Sequence, residues 1–147
     1  MKISDILQKN DVLVLNEVNS KRQLLQDLAD YAAKTAGVDA RTLFDVILER
    51  ENLGTTAMGK GIALPHARVP ALERTQALFA KVNDGVDFDA DDAKKVDLVF
   101  LLLSPEDSGA DHLNALAEIS RIMKSDVECA KIRKASTPEE IYKILSE

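Results

Sequence analysis

Apolar residues recur along this chain with two different periods, and the switches between them mark out its elements. Leu24, Leu28, Tyr31 and Ala32 fall at helical intervals behind Ser20 and Gln23, which have capping-box spacing, and Gly37 supplies a C-terminal stop. Asp39 is placed to cap a second helix in which Leu43, Val46, Ile47 and Arg50 occupy neighbouring turns before Gly54, so Arg50 sits near its C-terminus. Leu113, Leu116, Ile119, Ser120 and Met123 predict a third helix, and Val127 to Lys134 a shorter one. Thr137, Pro138 and Glu140 combine an N-cap, a first-turn proline and a capping box ahead of Ile141, Ile144 and Leu145.

Between these helices the pattern changes to short apolar runs. Ala77 to Val82 and Val96 to Leu103 predict buried strands, the second ending at Ser104 and Pro105, where a ladder donor is lost. Val12 to Leu15 predicts a short first strand after a helical turn near Ile3 to Leu7. Gly54 to Pro65, rich in Gly, Thr and Ala, predicts a loop that leads into a short strand at Ile62 to Leu64, terminated by Pro65. Asp84 to Asp92 predicts a solvated turn between two strands. Strands interleaved with helices give an α/β fold, with helices packed on both faces of a central sheet.

Composition narrows the class. A chain of 147 residues suits one domain, residues 1–147, and 46% hydrophobic with 30% charged residues excludes a disordered or fibrous chain. A net charge of −6 and a pI near 5.0 argue against a duplex-binding role, so nucleic acid is not an expected partner. The longest apolar block, Leu98 to Leu103, is long enough for a strand and too short for a bilayer, and Met1 to Leu7 lacks a leader's apolar run. Cys129 is alone, which excludes an internal disulfide and a multi-cysteine metal cluster and points to a reducing compartment, the cytoplasm.

The densest candidate chemistry runs from Thr55 to His66. Gly54 to Lys60 has the G-x-x-x-x-G-K spacing of a nucleotide-binding loop, but Gly61 replaces the magnesium-holding hydroxyl. An Ile-Ala-Leu-Pro run then follows where a phosphate-binding helix N-terminus is required. A phosphoryl group of another origin fits better. Gly59 and Gly61 let backbone N–H groups converge on an anion, and Thr55 and Thr56 add hydroxyl donors. His66 follows Pro65, which fixes the local backbone, and its imidazole is a competent nucleophile, although a lone histidine is more often chemically silent. The other histidine, His112, opens the helix after the Val96 to Leu103 strand, where ligand sites of α/β folds gather; its plain reading is a solvated side chain. Arg50 offers a guanidinium able to grip a phosphoryl group through two bonds; the plain reading is an ion pair with Glu49 or Glu51.

Other chemistries fail on spacing. Asp87, Asp89 and Asp91 alternate as in a calcium loop, yet Asp92 stands where glycine is needed and Leu98 where a bidentate acid is needed. His66 and His112 lack sequence-adjacent zinc partners, so no metal site is expected, and no G-x-S-x-G turn is present.

Two segments together carry a resemblance. Arg50-Glu51-Asn52, Thr55 and Gly59-Lys60-Gly61-Ile62-Ala63-Leu64-Pro65-His66 resemble the active-site segment of enzyme IIA domains of the phosphoenolpyruvate-dependent phosphotransferase system, fructose/mannitol class. Val96 to Pro105 followed by His112-Leu113 and Leu116-Ala117 resembles the second signature of that family. The resemblance spans nearly the whole chain and implies a mixed central sheet. It also implies that His66 accepts a phosphoryl group from a phosphorylated HPr-like carrier, with His112 and Arg50 in support and no cofactor. Met58 and Leu64 are then expected on the rim where the carrier docks. A free-standing domain of this length is most similar to the nitrogen-regulatory branch. The alternatives are a sugar-uptake component that passes phosphate to a separate IIB protein, and a non-catalytic binding module.

Overall fold

The computed structural model describes all 147 residues. Two 3-10 turns, Ile3–Asp5 and Lys9–Asp11, lead into β1 (Val12–Leu15), then α1 (Lys21–Ala36) and α2 (Ala40–Asn52). Next come β2 (Ala57–Gly59), β3 (Ile62–Ala63), β4 (His66–Val69), β5 (Gln76–Val86) and β6 (Val96–Pro105). Helices α3 (Ala110–Met123), α4 (Asp126–Lys134) and α5 (Pro138–Ser146) complete the chain. No helix is long and apolar enough to cross a membrane.

Every helix but α3, which follows Gly109, begins where a short polar side chain satisfies an otherwise unpaired N–H group. Ser20 Oγ accepts from the Gln23 N–H at 3.0 Å, Asp39 from Thr42 at 2.8 Å and Thr137 Oγ1 from Glu140 at 3.2 Å. Helix α1 ends on Gly37 at φ 69°, in the left-handed region that glycine enters without a steric penalty.

The six strands form one mixed sheet in the order β1-β5-β6-β3-β2, with β4 also paired to β6. β1 lies parallel to β5, β5 antiparallel to β6, β3 and β4 parallel to β6, and β2 antiparallel to β3. Strand β6 is apolar on both faces because both are covered. Val99, Leu101 and Leu103 join the core beneath α1 and α2, whereas Leu98, Phe100 and Leu102 join the core beneath α3, α4, α5 and the N-terminal turns. Phe79 of β5 meets Phe100 edge to face, with centroids 5.4 Å apart.

Three expectations need correction. The Gly54–Pro65 segment is not all loop before Ile62, because Ala57–Gly59 pairs as β2 with β3. Pro65 does not end the strand for good: β3 stops at Ala63 and the chain resumes as β4 at His66. Ile62 faces Leu98 and His66 faces Leu102, the same offset, so β3 and β4 are one extended line with a two-residue gap. Proline donates nothing to the ladder, yet its carbonyl still accepts from the Leu102 N–H at 3.0 Å. Finally, β5 runs on to Val86, with a register shift at Lys81–Val86 that places Asp84 at φ 69° and Gly85 at φ 67°. Only the later part of the acidic stretch is a turn.

Candidate functional site

Strand β4 pairs with β6 alone, so its other edge is open where the two helical layers meet. A hollow of about 470 Å³ lies there, lined by Val46, Glu49, Arg50 and Leu53 of α2 and its end, His66, Ala67, Arg68 and Pro70 of β4 and its end, Glu106, and His112 of α3. Elements from three parts of the chain thus bring His66, His112 and Arg50 to one place. The two imidazole centroids are 5.7 Å apart and their planes are inclined by 49°.

Each ring is held by one nitrogen. His66 Nδ1 lies 2.8 Å from the Leu64 carbonyl oxygen, which can only accept, so Nδ1 carries the proton and Nε2 the lone pair of the neutral ring. Leu64 therefore does not form a rim; it is buried and steers the imidazole through its backbone. His112 is buried, and its Nδ1 lies 2.7 Å from Ser104 Oγ at the end of β6. Burial depresses the His112 pKa below the ordinary 6.5, and the positive charge of Arg68 and the neighbouring His66 add to the effect. A neutral ring in this place can receive a hydrogen bond from the serine hydroxyl and present Nε2–H, or do the reverse.

Arg50 forms no salt bridge with Glu49 or Glu51. Its Nη1 donates to the Gly54 carbonyl at 3.0 Å, fixing the turn after α2. Glu51, buried in the other direction, pairs with Lys21 Nζ at 2.9 Å and accepts from the Thr56 N–H at 2.9 Å and from the Thr56 hydroxyl. Lys21 Nζ also stands 4.5 Å over the Phe88 ring. Glu51 thereby locks α1, α2 and the 55–56 connection together, a structural role that the sequence reading did not assign.

The glycine cradle expected around His66 is not there. Gly59, Gly61 and Thr55 do not line the hollow. Gly61 stands five positions before His66 on the β3–β4 line, roughly 16 Å away at strand rise. It borders a different hollow of about 620 Å³, beside the Arg133–Asp97 pair, in which two guanidinium nitrogens meet the carboxylate at 2.9 Å each. The Lys60 N–H between the two glycines donates to Asp92 at 2.9 Å. Thr55 Oγ1 donates to the Phe88 carbonyl at 2.9 Å, so neither threonine hydroxyl is free for a ligand. Met58 sits on β2, away from the hollow. These residues build the β2–β3 hairpin, and the apolar rim near the histidines comes from Val46, Leu53 and Pro70 instead, Leu53 being 82% exposed.

Arg68 is the charged lining residue that the sequence reading did not place. Two residues after His66 on one strand, it shares the face of that imidazole, and this period of two was the signal available. Its guanidinium donates to Ser108 Oγ at 3.0 Å and to the Gly109 carbonyl at 3.2 Å. Arg50, Arg68 and the two imidazoles offer an oxyanion several donors in one hollow, whose lining also holds the carboxylates of Glu49 and Glu106.

Known proteins bear on this arrangement. A sequence model of the family described as "Phosphoenolpyruvate-dependent sugar phosphotransferase system, EIIA 2" matches residues 5–147. A nitrogen regulatory protein of Bradyrhizobium diazoefficiens is 45% identical over 146 residues, covering 99% of this chain and 95% of that protein. The crystal structure of nitrogen regulatory protein IIA-Ntr from Neisseria meningitidis superposes with a TM-score of 0.91 at 30% identity, covering 97% of this chain and 98% of that one. A complex of enzyme IIA mannitol with phosphorylated enzyme IIB mannitol from Escherichia coli shares the fold at a TM-score of 0.79 and 16% identity, covering 95% of this chain and 98% of that one. In that complex the IIA protein has a IIB protein as its partner. The chain therefore belongs to the EIIA 2 family of the phosphoenolpyruvate-dependent phosphotransferase system, and within it to the kind represented by the nitrogen regulatory proteins.

Proposed function

We propose that this protein carries phosphoryl groups on His66, receiving them from the phosphohistidine of a small HPr-like carrier, and that its phosphorylation state is read by a regulatory target in the cytoplasm. The observation that carries this reading is the imidazole pair: His66 Nδ1 is tied to a carbonyl, leaving Nε2 as the nucleophile, with a second ring 5.7 Å away in the same hollow. In the transfer, the Nε2 lone pair attacks phosphorus while the donor N–P bond breaks in line, and its electron pair returns to the carrier's ring. Donor and acceptor are both imidazoles, so the exchange is close to balanced and the protein supplies alignment and charge stabilisation. His112, with the Ser104 hydroxyl donating to Nδ1, offers Nε2–H to an equatorial oxygen. Arg50 keeps its remaining guanidinium N–H groups for the others. The reaction so written uses no metal, nucleotide or other cofactor.

The test is incubation with phosphoenolpyruvate, enzyme I and the carrier, followed by location of acid-labile phosphate by mass spectrometry. His66→Ala is expected to take no label, and His112→Ala to lose the adduct about tenfold to a hundredfold faster, as for loss of one charge-assisted hydrogen bond. Undiminished labelling of His66→Ala overturns the proposal. A sugar-uptake role is the second reading, favoured by the family's description and by the mannitol complex. Transfer from the labelled chain to a purified IIB protein supports it, whereas capture of a target by only one phosphorylation state supports the regulatory reading. Failure of the wild-type chain to take label leaves a binding module without chemistry.

A further inference from the structure

We propose that Arg68 is a phosphoryl-binding residue of this site, held in reserve on the loop before α3, and that it exchanges that loop for the phosphoryl group once His66 is phosphorylated. The inference rests on the reading of His66 as the acceptor and adds a residue and a consequence to it.

Three observations carry it. First, His66 and Arg68 stand two positions apart on β4, so their side chains leave the same face of the strand about 7 Å apart. The register pairs Arg68 with Ser104, the residue that holds the His112 ring, and both Arg68 and the two histidines line the one hollow. Second, the guanidinium has no carboxylate partner. Its two bonds, to Ser108 Oγ and the Gly109 carbonyl, are to neutral acceptors, and the residue is exposed. Charge-assisted bonds to a doubly charged group are about twice as strong as bonds to neutral acceptors, and the guanidinium fork matches two phosphoryl oxygens. A phosphoryl group on His66 Nε2 is therefore the better partner. Third, the charge of Arg68 already acts across the hollow on His112, disfavouring its protonated form.

The exchange alters the surface as well as the site. When Arg68 leaves, Ser108 and Gly109 lose the contact that ties the loop to β4. Glu106, which lines the hollow, and Glu49 opposite it are repelled by the new negative charge. The Glu106–Gly109 segment thus differs between the two states, which gives a partner protein a means of telling them apart.

The experiment uses the full chain, phosphorylated with phosphoenolpyruvate, enzyme I and the carrier and then separated from them. The half-life of the phosphohistidine and the amide hydrogen exchange of residues 106–111 are measured before and after phosphorylation. In the wild-type chain those amides are expected to exchange faster once His66 is phosphorylated. Arg68→Met, which keeps the apolar stem, is expected to shorten the half-life about tenfold and to show fast exchange in both states; Arg68→Lys restores part of the half-life. If the wild-type chain is labelled on His66 but exchange at 106–111 does not change and Arg68→Met hydrolyses at the wild-type rate, the proposal is overturned. Should Arg68→Met not fold, the wild-type exchange data and Arg68→Lys decide the same question. Failure of His66 to take label in the wild-type chain sinks the underlying reading instead, and the two failures are thereby distinct.

Discussion

At the scale of single residues, the site depends on which atom of each side chain is already occupied. His66 and His112 each spend Nδ1 on a neighbour, so their chemistry is confined to Nε2. For His112 the cost of burying charge has a consequence for stability. The folded state favours the neutral ring, so as pH falls below the ordinary 6.5 the unfolded chain takes up a proton first. Stability therefore declines from there downward and levels only when the folded ring is itself protonated. Urea midpoints at pH 7.5 and 5.5 should fall further in the wild-type chain than in His112→Asn, and equal falls would contradict the assigned direction. Glu51 is a different case, a buried carboxylate paired with Lys21 and accepting from Thr56. Glu51→Ala leaves Lys21, most of it covered, with only the 3.5 Å contact to the exposed Asp89, takes the acceptor from the Thr56 N–H, and is expected to cost about 3 kcal/mol in chemical denaturation. The sequence named His66, His112 and Arg50 because their types and motif context point to phosphoryl chemistry. It gave Ser104, Glu51 and Arg68 no part in building the site, because their partners stand 8, 30 and 40 or more positions away, or, for Thr56 and Glu51, across the turn that follows α2.

Among the elements, the long ones were readable and the short ones were not. Helices α1, α2 and α5 announce themselves through caps at Ser20, Asp39 and Thr137 that the structure uses as expected. Strands of two to four residues, β2, β3 and β4, carry too few positions for a period to emerge, and the glycines and proline in and between them imitate a loop. The same difficulty misplaced the glycines. Adjacency in sequence put Gly59 and Gly61 beside His66, whereas the extended line from Ile62 to His66 carries Gly61 away at over 3 Å per residue, and the hairpin pairs Gly59 with Ile62 at the same far end. Gly61 is needed for space: a Cβ there would lie 2.8 Å from both Arg133 Nη2 and Asp97 Oδ1, at φ +82°. Gly61→Ala should therefore destabilise the fold by about 1–3 kcal/mol while leaving the rate of His66 labelling near wild type. A loss of labelling with the fold intact would restore the cradle that the structure removes.

For the molecule as a whole, one sheet serves two cores, and β6 is the wall between them. Leu101 and Leu102 are adjacent in sequence, fully buried, and face opposite layers. Truncating either to alanine is expected to lower a single common unfolding transition by about 2–5 kcal/mol, observed alike by circular dichroism and tyrosine fluorescence. Two separate transitions would mean that the layers melt independently. Fold class was legible from the interleaving of elements. Strand order was not, because nothing in the local pattern says that β1 lies beside β5 or that β6 is shared by β5, β3 and β4. The unbroken offset of β3 and β4 along β6 has a further bearing on how such chains can diverge. Insertions at the exposed tip, Ala93–Lys94, beyond the buried Phe88 and the Asp92 that holds the Lys60 N–H, merely lengthen a solvated excursion. A single codon gained or lost between Ile62 and His66 would instead turn the imidazole toward the opposite layer, so descent can reshape that exposed tip but must keep this four-step interval inelastic.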